Sequence, residues 1–208
     1  MNFTHPNAVL MVFCKAPVPG QVKTRLIGEL TPEQAAQVHI ELTTRTLQLA
    51  CDSALCPVEL WCAPSVQHDF FTGAAARYNV SLYPQQGAGL GERLQHAFSS
   101  ALSRYDHALA LGCDCPSLTA HDLTSALQGL AERNDCVLAP AEDGGYVLIG
   151  LSRTHQELFS DIAWGTGIVL EQTRAAIKRL GLTCHELATQ WDLDTPKELA
   201  RYRALSVI

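Results

Sequence analysis

Seven short apolar runs, separated by stretches with helical patterning, constrain the chain more than any other feature. They are Val9–Cys14, Val58–Cys62, Val80–Tyr83, Ala108–Gly112, Cys136–Ala139, Tyr146–Leu151 and Leu182–Glu186. Most are apolar at successive positions rather than at alternate ones, the pattern of strands covered by helices on both faces. Helix starts fall between them. Thr31-Pro32-Glu33-Gln34 and Thr195-Pro196-Lys197-Glu198 read as capping boxes with Pro at the first helical position. Val38, Leu42 and Leu49 mark the buried stripe of the first helix. Gly91 to Arg104 carries apolar residues at helical spacing, and Thr119 with Asp122 opens another helix.

Strands alternating with helices predict a single-domain, three-layer α/β/α fold with a mostly parallel, Rossmann-like sheet over residues 1–208. Glu142-Asp143-Gly144-Gly145 is turn chemistry, so the runs on either side of it should form one antiparallel hairpin. In such sheets ligands bind beyond the carboxyl ends of the strands. The polar motifs fall there.

Composition narrows the function classes. The chain has 208 residues, of which 47% are hydrophobic and 17% charged, enough apolar material for a full core. Its formal charge of -6, without a Lys/Arg stripe, argues against nucleic acid as partner. The N-terminal segment lacks a basic n-region, and the apolar run from Ala8 to Cys14 is too short to span a bilayer, so a cytoplasmic protein without a membrane span is expected. Eight cysteines without a C-x-x-C pair suggest small buried hydrophobes rather than disulfides or a zinc site. The eight histidines show no ligand spacing and receive no role.

Five segments carry candidate chemistry. After the first strand, Lys15-Ala16-Pro17-Val18-Pro19-Gly20-Gln21-Val22-Lys23-Thr24-Arg25 is a rigid loop with convergent cations, suited to a di- or triphosphate. Its spacing is not that of a Walker A loop. Gly87-Ala88-Gly89-Leu90-Gly91-Glu92-Arg93 leads into a helix N-terminus that favours anions. It is one residue short of a dinucleotide fingerprint and follows the third strand instead of the first. Asp114 ends the strand Ala108–Gly112 beside Pro116, and a carboxylate there needs a compensating charge such as a divalent metal, a helix cap or a salt bridge. Asp192 and Asp194 precede a helix, where they could bind a metal or merely complement the helix dipole. Asp143 could position or deprotonate an acceptor hydroxyl, or could serve only the turn.

Cys113-Asp114-Cys115-Pro116-Ser117-Leu118 resembles the C-D-x-P-x-L stretch of the molybdenum-cofactor nucleotidyltransferases. Gly89-Leu90-Gly91 is similar to their loop against the nucleobase, and Asp192-Leu193-Asp194-Thr195-Pro196 resembles the D-x-D-T-P motif of cytidylyl- and guanylyltransferases. The opening loop and Glu142-Asp143-Gly144-Gly145-Tyr146 look closest to a bacterial family of GT-A type glycosyltransferases in the nucleotide-diphospho-sugar transferase superfamily. The resemblance implies metal ligation by Asp114 and Asp194 with Mg²⁺ or Mn²⁺, and phosphate or nucleotide contacts from Lys15, Gly20, Lys23, Arg25, Gly89, Leu90, Gly91 and Arg93. Lys23, Arg25 and Asp143 would take the catalytic roles. Two departures stand out: the Gly-rich opening of sugar nucleotidyltransferases is missing, and Gly112 replaces the first acid of the usual D-x-D.

The expected activity is therefore metal-dependent glycosyl transfer from a nucleotide-diphospho-sugar to a small-molecule acceptor. The alternatives are nucleotidyl transfer from a nucleoside triphosphate to a phosphorylated acceptor, and a non-catalytic nucleotide-binding module.

Overall fold

A computed structural model describes residues 2–205. All seven expected strands form, within two residues of their sequence bounds: β1 (Ala8–Lys15), β2 (Val58–Ala63), β3 (Ser81–Pro84), β4 (His107–Gly112), β5 (Cys136–Pro140), β6 (Tyr146–Leu151) and β7 (Cys184–Glu186). They make one sheet in the order β3-β2-β1-β4-β6-β5-β7. β6 is antiparallel to both β4 and β5, and every other pairing is parallel. The turn at Glu142–Gly145 thus makes the expected hairpin, which reverses one strand within an otherwise parallel sheet. Gly144 has φ +88, and a Cβ there would collide with the Gly167 carbonyl, so the turn also docks the 164–167 loop.

Among the described residues, six α-helices cover the sheet: α1 (Pro32–Asp52), α2 (Asp69–Tyr78), α3 (Leu90–Leu102), α4 (Ala120–Ala131), α5 (Val169–Leu180) and α6 (Pro196–Leu205). The period-2 alternation of strand side chains divides the interior. Leu10, Val12, Leu60 and Leu109 join Leu47, Phe71 and Leu123 on one face. Val9, Met11, Trp61 and Ala108 join Leu94, Phe98 and Ile177 on the other.

Full capping boxes start α1 at Thr31 and α4 at Thr119. At Thr195 the Glu198 carboxylate accepts from the backbone N–H groups of Thr195 and Asp194. The buried stripe of α1 is rotated from the sequence expectation. Ala35, His39, Leu42 and Thr46 are buried, whereas Val38 and Leu49 lie at its flank. His39 can take that place because polar partners wait for it under the helix.

The chain after β7 decides where the site forms. β7 lies at one edge of the sheet, yet residues 187–194 return across the carboxyl ends of the strands. Leu187 N–H donates to Leu138 O, Gln190 N–H to Pro140 O, Trp191 N–H to Ser117 Oγ and Leu193 N–H to Asp114 O. Trp191, Leu193 and Leu199 then close a small core with Leu26, Ala35 and Leu42, locking this strap over α1 and the loop after β1. Among the described residues, no helix is long and apolar enough to cross a membrane.

Candidate active site

Asp114 and Asp194 are 80 positions apart in the chain, and the strap brings both to one cation. Lys23 Nζ lies 2.8 Å from Asp114 Oδ1 and 3.1 Å from Asp194 Oδ1, and it donates to Leu193 O at 2.6 Å. Its side chain is only 2% exposed, while each carboxylate remains 40% exposed toward the cleft. Lys23 has φ 48 and ψ 37, a left-handed conformation that turns its side chain under the loop. Burial alone would lower the Lys23 pKa, but the charges of Asp114 and Asp194 outweigh it and raise the group above its ordinary value.

Asp114 has a second support that the sequence did not reveal. His39 Nδ1 lies 3.6 Å from Asp114 Oδ1, and His39 Nε2 lies 2.9 Å from Lys15 O. An imidazole between two acceptors is best satisfied as a double donor. Burial opposes the charge, yet Asp114, with help from the Lys15 carbonyl, lifts the His39 pKa to about 9. Burial likewise raises the Asp114 carboxyl, but Lys23 and His39 overcome that and hold it well below the usual carboxylate range.

Asp192 behaves in the opposite way. Burial and the neighbouring charges of Asp114, Asp143 and Asp194 push its pKa up to about 7. Between its ordinary value and about 7, the folded chain keeps a proton that the unfolded chain has released, so stability falls as pH rises through that window. His39, with its raised value, adds a loss in the same direction between its ordinary pKa and about 9. The expected result is a melting temperature that declines from about pH 5 to about pH 8, with a shallower decline in Asp192→Asn. Differential scanning fluorimetry of both proteins checks this, and parallel slopes would remove Asp192 as the cause.

Two adjoining cavities meet at Asp194. The polar one, about 420 Å³, is lined by Lys15, Gln21, Lys23, Arg25, His39, Gln85 and Asp114. The other, about 370 Å³, is more apolar, with Leu94, Tyr146, Val147, Ile149, Trp164 and Val169 together with Asp143. Phe13, Arg25, Leu90, Gly112 and Asp194 border both. Arg25 donates to Asp194 Oδ2 at 3.4 Å with 65% of its side chain exposed, so its guanidinium still faces solvent. Asp143 accepts from Gly145 N–H through Oδ1.

The remaining sequence candidates are arranged around the rim. Gly20 is exposed in the first loop with φ +78. Gly89 is exposed at the N-cap of α3 and leaves that helix end open. Gly91 is buried; a Cβ there would lie 2.5 Å from Phe159 O and 2.6 Å from Trp164 Nε1, so its missing side chain makes room for Trp164. Arg93 is half-buried and donates through Nε to Gly87 O at 3.1 Å. His39 and Trp164 are the site residues that sequence reasoning missed. The i, i+4 relation of Ala35 and His39 on a buried face is the signal that could have found His39.

The fold is that of the nucleotide-diphospho-sugar transferase class of transferases. The chain belongs to the family described as "Uncharacterized protein conserved in bacteria (DUF2064)", whose model matches residues 46–166. No curated protein matches it. Among solved structures it is similar to a protein from Desulfovibrio desulfuricans G20, provisionally named a nucleotide-diphospho-sugar transferase. The two share 29% identity over 91% of this chain and 83% of that one, with a TM-score of 0.83. The fold is shared with a CMP:2-keto-3-deoxy-manno-octonic acid synthetase complexed with CTP, at 14% identity, TM-score 0.60 and coverage of 97% and 98%. It is also shared with glucosyl-3-phosphoglycerate synthase from Mycobacterium tuberculosis in complex with Mn²⁺, UDP and glucosyl-3-phosphoglycerate. That match has 12% identity, a TM-score of 0.55 and coverage of 97% and 76%.

Proposed function

We propose that the protein transfers a glycosyl group from a nucleotide-diphospho-sugar to a small-molecule acceptor, with Mg²⁺ or Mn²⁺ as cofactor. The observation that carries this reading is the position of Asp194 and Arg25 at the seam of a polar and an apolar cavity, with Asp114 just inside the polar one. A donor diphosphate in the polar half would then place its anomeric carbon toward the apolar half.

The donor set fits a hard divalent cation. Asp114 and Asp194 offer exposed carboxylate oxygens, and burial together with the charges of Asp114, Asp143 and Asp194 pushes the pKa of the neighbouring Asp192 up to about 7. Asp114 and Asp194 would hold the cation, which when bound supplies Lewis-acid stabilisation of the departing diphosphate. Arg25, the exposed cation of the loop, would contact the same phosphates. Lys15 lies at the polar end of the cleft and would extend the phosphate or nucleotide contact there. Leu90 is 44% exposed at the start of α3, and Gly89 gives a ligand access to the helix end; both suit contact with a nucleobase. Lys23, buried between the two acids, would fix their separation while lowering the charge cost of bringing them together. On the apolar side, Asp143 would orient an acceptor hydroxyl and receive its proton.

The test is a thermal-shift panel of sugar nucleotides and nucleoside triphosphates, with and without Mg²⁺ or Mn²⁺, followed by product analysis. A nucleotide-diphospho-sugar should raise the melting temperature in a cation-dependent way by mass action, and turnover should release a nucleoside diphosphate. Pyrophosphate release from a nucleoside triphosphate would establish nucleotidyl transfer instead. No shift with any nucleotide would overturn both.

A further inference from the structure

Behind Asp114, on the floor of the polar cavity, lie side chains that this reaction does not use. Cys14 is the penultimate residue of β1, and Cys113 follows β4 directly; the two strands are paired in parallel with Phe13 opposite Gly112, so the cysteines are the next residues along the two neighbouring chain segments. His39 reaches them from α1. Cys14, His39 and Cys113 are all buried, and one donor atom from each lies within 4.8 Å of the other two. All three line the polar cavity, which gives an ion a route in. All eight cysteines are free thiols, so neither sulfur is committed to a disulfide.

We propose that Cys14, Cys113 and His39 form a binding site for a thiophilic divalent cation of the Zn²⁺ class, distinct from the carboxylate site in the cleft. Two sulfurs and an imidazole are soft to borderline donors, which select zinc-like ions over Mg²⁺. The spacing fits. In a tetrahedral zinc site, bond lengths of about 2.3 Å to sulfur and about 2.0 Å to nitrogen place those ligands about 3.5 Å apart. Cys14 Sγ and His39 Nε2 are 3.6 Å apart.

The surroundings also fit. With Nε2 as the ligand atom, Nδ1–H is left facing Asp114 Oδ1 at 3.6 Å, the carboxylate–histidine–metal arrangement that fixes a ligating imidazole. Lys15 O, 2.9 Å from Nε2 and 3.1 Å from Cys14 Sγ, stands where a fourth donor would. Binding displaces one proton from each thiol, so affinity should rise with pH. The ion then supplies positive charge beneath Asp114, while His39 Nδ1 stays facing that carboxylate at 3.6 Å. It acts as a positioning element beneath the catalytic carboxylate.

The experiment uses the full chain, reduced and freed of metal, loaded with Zn²⁺ or Co²⁺ and dialysed. The expected result is one retained ion per chain. X-ray absorption of the zinc form should show two sulfur neighbours, and the Co²⁺ form should show thiolate-to-cobalt charge-transfer absorption. Cys14→Ser, Cys113→Ser and His39→Gln should each lose the retained ion. Cys184→Ser, which breaks the in-register pair Cys136–Cys184 on β5 and β7, should keep ion and spectrum unchanged. Failure to retain an ion, a shell without sulfur, or loss of the site in Cys184→Ser would each overturn the proposal. If the Cys14 and Cys113 variants do not fold, the sulfur count in wild type and in Cys184→Ser decides alone. None of these readouts depends on turnover, so the outcome is separate from that of the transferase assay.

Discussion

Asp114→Asn should lower kcat/KM for the preferred donor on the order of 10³-fold while leaving a folded protein. The side chain retains its shape and one oxygen, and the Asp114 carbonyl still accepts from Leu193 N–H, so the strap stays attached. Lys23 retains Asp194 Oδ1 and Leu193 O as partners. The lost element is negative charge just inside the polar cavity, where a divalent cation and the departing diphosphate would have to be held together. Initial rates with saturating Mg²⁺ or Mn²⁺, together with a melting curve, separate the two effects. A loss of less than tenfold would remove Asp114 from the chemistry. A collapse of the melting temperature would move it to a structural role.

The sheet was legible because its strands are apolar at consecutive positions, a pattern produced by coverage on both faces. The Glu142–Gly145 turn was legible from its glycines, and α1 and α4 from Thr31 and Thr119 with Gln34 and Asp122 behind them. Two helices had no such announcement. α2 is capped by His68, whose ring nitrogen accepts from Phe70 N–H, and α5 starts at Ile168 with no side-chain cap at all. Their starts are set by packing on the sheet, which local residue types do not encode.

The site divides along the same line. Asp114 and Asp143 were visible because they sit immediately after strands, where an α/β sheet places its ligands, and Arg25 because it lies in the cation-bearing loop that follows β1. The partnership of Lys23 with Asp194 was not visible, since it joins residues 171 positions apart through a strap whose path is fixed by backbone hydrogen bonds to β5 and to the loop after β4. His39 was lost among eight scattered histidines for a related reason. Its role depends on what lies beneath α1, and only the fold places Asp114, Lys15, Cys14 and Cys113 there.

Lys23→Met should destabilise the chain by about 2–3 kcal/mol and make its stability unusually dependent on divalent cations. Methionine has similar length and no charge, so the substitution removes the ammonium with little change in volume. It leaves Asp114 and Asp194 facing each other across the vacated position and takes the donor from Leu193 O. Removing one partner of a fully buried ion pair costs about 3–5 kcal/mol. The two carboxylates here are each 40% exposed, so water screens part of that cost and the lower figure applies. The remaining repulsion can be relieved in two ways, by protonating a carboxylate or by binding a cation between the two. The variant should therefore gain more melting temperature than wild type on lowering the pH toward about 5, and more again from Mg²⁺ or Mn²⁺ at about pH 8. A lysine that served only to touch phosphate would behave differently: its loss would raise KM and leave the ligand-free melting curve unchanged. Chemical denaturation with and without the cation, set beside donor KM, distinguishes a cation that holds the acids in place from one that meets the substrate.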